Sequence, residues 1–126
     1  SLEFFRNFLL PHLDVDDKAL FPFVLKHIPK LEPVLALLKG EHIELKKSLK
    51  ASETAIKNMK NQVDIGKRSL FIDKLKNNIT YFISLLRNHI QTENEGVYKV
   101  VKASLKADEV SFLDHEIQKI CKEGTL

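Results

Sequence analysis

Leu85-Leu86-Arg87-Asn88-His89-Ile90-Gln91-Thr92-Glu93-Asn94 sets a histidine and a carboxylate four residues apart inside an otherwise apolar helical pattern. The pattern runs Ile72, Leu75, Ile79, Phe82, Leu86, His89, Glu93, Gly96, Val100, in unbroken steps of three and four. That spacing marks a helix seam buried in a bundle. An ionised carboxylate on such a seam is costly unless something pairs with it, and a metal ion is one such partner.

Outward from this pair, two more seams follow the same rule. Near the start, Leu2, Phe5, Leu9, His12, Asp16, Ala19 and Phe23 form a stripe with a second His-x-x-x-carboxylate pair, His12 and Asp16. Pro11 and Pro22 interrupt it: each either bends the helix or opens a new one. Pro29 and Pro33 close the segment near Ile28. A second helix is expected from Pro33 to about Gln62, on the stripe Leu35, Leu38, His42, Leu45, Leu49, Ser52, Ile56, Met59, Val63. Gly40, just before His42, weakens it by about 1 kcal/mol relative to alanine and leaves room for a close approach. Lys46, Lys47, Lys50, Lys57 and Lys60 fall on other faces and read as solvated surface. The turn-like stretch Asn61 to Gly66 precedes the third helix, expected over residues 69–103. Asp108 is expected to cap a last, shorter helix on the stripe Val110, Leu113, Ile117, Ile120. No strand signal competes with these helices. The fold class is therefore all-α, an antiparallel up-and-down bundle in one domain spanning residues 1–126.

Composition bounds the rest. A net charge of +3 is too small to imply nucleic acid. No apolar run approaches the ~20 residues that span a bilayer, and the start lacks the features of a signal peptide. The single Cys121 allows no internal disulfide, which fits a reducing cytoplasm. The chain opens on Ser1 and passes directly into amphipathic helix, which reads as a fragment lacking an upstream segment.

Three seams each carry a histidine, and two add a carboxylate one turn later. Residues i and i+4 lie about 6 Å apart along one helix face, so both reach one cluster. Imidazole and carboxylate together suit iron, manganese or zinc better than calcium or magnesium. Carboxylates and histidines converging from several helices are how bundles build dinuclear iron or manganese sites. The rival reading is a set of buried polar pairs that fix helix register. The remaining candidates read as ordinary: His27 as exposed or capping, His115 as surface, Tyr81 and Tyr98 as packing, Cys121 as a thiol without a partner.

Three motifs in order resemble the hemerythrin-like, or HHE cation-binding, family. Residues 85–94 look like its last ligand helix, Leu-x-x-His-Ile-x-x-Glu-Asn/Asp. His12-Leu-Asp-Val-Asp16-Asp-Lys-Ala-Leu20-Phe21-Pro22 is similar to its His-x-x-Lys-Glu-Glu-x-x-Leu-Phe-Pro segment, and Gly40-Glu41-His42 to its Glu-His opening. The resemblance implies a hemerythrin-like four-helix bundle whose first helix is missing from this chain. It implies His12, Asp16, His42, His89 and Glu93 as ligands of a non-heme diiron centre, the carboxylates bridging and the histidines capping. Dioxygen or a related small diatomic or peroxide ligand would bind there for carriage, storage or sensing. Asp16 departs from the family's glutamate, the segment after Glu93 lacks Leu-Phe-Pro, and the first helix, with at least one more histidine, has no counterpart before Leu2. Five ligands fall short of a standard two-iron site, and a three-helix bundle exposes a groove that favours a homodimer. Two other functions fit the same residues: maintenance or detoxification chemistry on nitric oxide, peroxide or iron–sulfur clusters, and a metal-free helical interaction module.

Overall fold

Three short connections turn the chain back on itself, so consecutive helices are antiparallel neighbours. The computed structural model describes the backbone of residues 2–124 and the side chains of residues 2–119; the readings for Ile120 and Cys121 lie outside the described residues. Helix α1 covers residues 2–27 and α2 is Glu32–Asn61. Helix α3 covers residues 65–104 and α4 is Ala107–Gly124. No strand occurs among the described residues, and the fold is an all-α helical bundle.

Two of these helices change pitch in mid-course. Helix α1 is α-helical over Leu2–Val15, widens to a π-turn at Asp16–Leu20, and resumes as Phe21–His27. Helix α3 does the same: Ile65–Glu93, then a π-turn at Asn94–Tyr98, then Lys99–Ser104. Pro11 lies inside the first stretch without ending it; it is exposed, on the helix face away from the core. Pro22 is the second residue after the π-turn, just past Phe21, whose N–H reaches back to the Asp16 carbonyl as the helix returns to α pitch. A residue without an N–H is least missed where the bonding register changes.

The helix ends refine the expected boundaries. Helix α3 starts at Ile65 because Asp64 caps it, its carboxylate accepting the Gly66 N–H at 2.9 Å. Helix α2 stops at Asn61, so Val63, expected on its stripe, sits in the connection at 95% exposure. Helix α4 is capped by Glu109 rather than Asp108: its carboxylate accepts the Lys106 N–H at 2.9 Å, half of a capping box.

The interior is layered. Leu9, Leu13, Leu45, Leu49 and Phe82 form an upper apolar cluster. A lower one gathers Phe21, Val24, Leu35, Leu38 and Val97, with Leu113 of α4 closing its outer side. Between them lies a belt of buried polar groups: Asp16, His42, His89 and Glu93, each at most 2% exposed. Gly96 lets α3 approach α2 at this level, since a Cβ there would meet Val34 Cγ2 at 3.1 Å. The close approach expected at Gly40 is absent; a Cβ there meets nothing within 4 Å.

Candidate metal centre

The polar belt collects one or two groups from each of three helices. Helix α1 brings His12 and Asp16, α2 brings His42, and α3 brings His89 and Glu93. Asp16 Oδ2 lies 3.7 Å from His42 Nε2 and 3.5 Å from His12 Nε2. His89 Nε2 lies 3.1 Å from Glu93 Oε2, and Glu93 Oε1 lies 4.0 Å from His12 Nε2. The His42 and His89 rings approach to 4.8 Å between centroids. All five residues singled out in the sequence therefore face one small volume. They fall into two overlapping groups, Asp16–His42–His89 and His12–Asp16–Glu93, with Asp16 common to both and ligand atoms within 4.8 Å of one another.

Two further carboxylates set the direction in which the imidazoles point. His42 Nδ1 is 2.9 Å from Asp17 Oδ1, and His89 Nδ1 is 2.9 Å from Glu41 Oε1. A carboxylate only accepts, so each Nδ1 carries the proton and donates. That fixes the tautomer and leaves the Nε2 lone pair of a neutral ring aimed at the belt. Phe21 stacks on the His42 ring at 5.4 Å and 16°, which holds its plane. His12 has no such anchor; its side chain is 48% exposed and opens on a groove of about 420 Å³ walled by Phe4, Phe5, Phe8, Leu86 and Ile90.

The consequence is a set of buried acceptors with nothing to accept. Asp16 Oδ2, His42 Nε2 and His89 Nε2 are all buried without a hydrogen-bond partner. Buried polar atoms are nearly always paired, and three orphans converging on one point call for a cation, either protons or a metal. The ionisation behaviour agrees. Burial, and then the shared hydrogen bond and charge of Glu93, raise the Asp16 carboxyl far above the usual carboxylate range. Burial also pushes the Glu93 carboxyl up, but its neighbours His89, Asp16 and the Tyr98 hydroxyl outweigh burial and hold it low. Burial lowers His42 despite Asp17, whereas in His89 the nearby Glu93 and Glu41 carboxylates outweigh burial and raise it.

Three imidazoles, two of them oriented by outer carboxylates, and two carboxylates fit a transition metal of the iron, manganese or zinc kind. Residues 1–101 match the family described as hemerythrin HHE cation binding domain. The chain belongs to that family. Helix α4 lies beyond the matched residues. Comparison with curated proteins and with solved structures gives no match.

Within this hemerythrin HHE domain, sequence reasoning missed three residues. Asp17 and Glu41 each adjoin a candidate ligand in sequence but serve the histidine of the next helix, a relation that appears only once the helices pack. Tyr98, read as packing, donates its hydroxyl to Glu93 Oε1 at 2.9 Å. In place of Leu-Phe-Pro after Glu93, Val97-Tyr98-Lys99 stands at the same distance from Glu93 as Leu20-Phe21-Pro22 from Asp16, with a π-turn in each segment displaced by one residue between the two. His27, outside the site, caps α1 by donating from Nδ1 to the Phe23 carbonyl at 3.0 Å, and Nε2 lies 3.4 Å from Glu109 of α4. His115 is exposed, and Tyr81 is 55% exposed.

Proposed function

We propose that this chain is a non-heme diiron protein that binds dioxygen or a related small oxidant, with His12, Asp16, His42, His89 and Glu93 as its metal ligands. The observation that carries the reading is the convergence of three unpartnered buried atoms, two of them on imidazoles whose other nitrogen is anchored by a carboxylate. A structural polar pair has no use for orphaned atoms; a metal site requires them.

The overlapping ligand groups divide the work. Asp16, His42 and His89 would hold an ion at a closed position, and His12, Asp16 and Glu93 would hold one beside the groove. Iron bound there would supply the electrons that dioxygen chemistry needs. The chain's residues do the rest. Asp17 and Glu41 keep the imidazoles neutral at Nε2 and pointed inward. The apolar layers above and below exclude water from the belt. The groove past Phe5, Phe8 and His12 admits a small ligand from the exposed side. A cation bound there would replace the proton that burial and Glu93 favour on Asp16.

The test is anaerobic ferrous loading, then iron per chain and an absorption spectrum before and after air. About two irons per chain and a near-ultraviolet band that appears with oxygen and fades on its removal support a carrier, store or sensor. The absence of iron uptake overturns the reading.

A further inference from the structure

The two His-x-x-x-carboxylate segments are copies of one another at a constant offset. His12 corresponds to His89, Asp16 to Glu93, Asp17 to Asn94, Leu20 to Val97 and Phe21 to Tyr98. A π-turn lies at each carboxylate: it begins on the carboxylate in one copy, Asp16–Leu20, and one residue after it in the other, Asn94–Tyr98. The turn matters to what residue i+5 can touch. In a regular α-helix, i+5 lies about 140° around the axis from i, on a different face. The wider π-turn swings it back over residue i. That is how Tyr98 reaches Glu93, its hydroxyl donating to Oε1 at 2.9 Å.

In the other copy the same position is Phe21, which has nothing to donate and lies on the His42 ring instead. The two carboxylates are consequently unequal. Asp16 keeps an oxygen with no hydrogen bond at all. On Glu93, Oε1 accepts from Tyr98 and lies 4.0 Å from His12 Nε2, and Oε2 lies 3.1 Å from His89 Nε2. Tyr98 also shares the groove wall with His12 and Asn94, so its hydroxyl stands where the site opens.

We infer that Tyr98 is a positioning residue of this centre: its hydroxyl holds Glu93 by Oε1 and so fixes the direction in which that carboxylate would present itself to a metal, a support that Asp16 lacks. The inference rests on the metal-centre reading. It gives Glu93 a support that Asp16, its counterpart in the repeat, does without.

Cobalt(II) alone, titrated into the full chain, is the probe, because its visible spectrum reports the number and geometry of bound oxygens. Tyr98→Phe keeps the ring and removes the donor. Val101→Ala, a packing loss just below the same turn, controls for stability. Tyr98→Phe is expected to bind cobalt about tenfold more weakly, the scale of an outer-sphere partner, and to change the visible spectrum. Val101→Ala is expected to unfold earlier when metal-free but to keep both affinity and spectrum. If Tyr98→Phe matches the wild type in affinity and spectrum, or differs from it only as Val101→Ala does, Tyr98 is a packing residue and the inference falls. If the wild type itself takes up no cobalt and no iron, the metal-centre reading fails beneath it.

Discussion

His42 and His89 on one side of the belt, and His12 on the other, are the same residue type in the same layer with opposite surroundings. The first two are 1% exposed, and each donates from Nδ1 to a carboxylate of a neighbouring helix. His12 is half exposed, faces the groove, and has only Asp16 and Glu93 near its Nε2. The closed side is preorganised: tautomer and ring direction are set before any ion arrives. The open side has room for an ion and its ligand but does not fix the imidazole. Affinity should therefore reside on the closed side and reactivity on the open side.

Removing ligands gives the largest contrast. His42→Ala or His89→Ala is expected to abolish tight iron uptake, whereas His12→Ala should leave the closed position loaded, so that iron per chain falls by about half. Equal losses from all three variants, by metal analysis after anaerobic loading, would erase the distinction between the sides.

Next come the anchors. Asp17→Asn and Glu41→Gln keep the shape but weaken the hold on the imidazoles, and each should weaken iron or cobalt binding about 10–100-fold. Asn94, the counterpart of Asp17 in the second copy, is exposed and lines the groove. Asn94→Ala should change affinity far less. Competition with a chromogenic chelator ranks the three.

The pH dependence sharpens the same picture. Asp16 is raised above its unfolded range, so metal must displace its proton, and affinity should climb as pH rises through neutrality. For the metal-free fold, the sign follows from the same shift. The stabilisation from protonated Asp16 is fully present below the ordinary carboxylate pKa and is lost as pH rises towards its raised value. Glu93, held low, contributes stability above the ordinary range and loses it in strong acid. Denaturant unfolding of chelator-treated protein at a series of pH values should therefore show stability declining from mildly acidic pH up to about 9. Asp16→Asn should flatten that decline.

The smallest effects are steric. Gly40→Ala is expected to stabilise the fold by up to about 1 kcal/mol, because the position is an exposed helix interior with open space around it. Gly96→Ala should be neutral or destabilising, because its Cβ presses on Val34 where α3 meets α2 beside the site. Thermal unfolding of the two variants measures the difference.

The helices were legible because three- and four-residue steps place apolar groups on one face, and the packed layers at Leu9, Leu45 and Phe82 sit on those stripes. The five candidate ligands were legible for the same reason: a charged or imidazole group on an apolar seam is conspicuous. Asp17 and Glu41 were not, because they lie off the stripe and their partners belong to other helices. The exposure of His12 was also hidden, since periodicity locates a seam but says nothing of whether a neighbour covers it. The π-turns leave no mark in apolar spacing. Their trace was the copied segment after each carboxylate, obscured because Phe21 and Pro22 are replaced by Tyr98 and Lys99.

The most direct measurement is iron per chain in wild type and His12→Ala, loaded side by side without oxygen. The account predicts about two ions in the wild type and about one in the variant, with the oxygen-responsive band lost from the variant. No iron in the wild type would contradict the account at its centre. The buried histidines would then be devices that hold three helices in register.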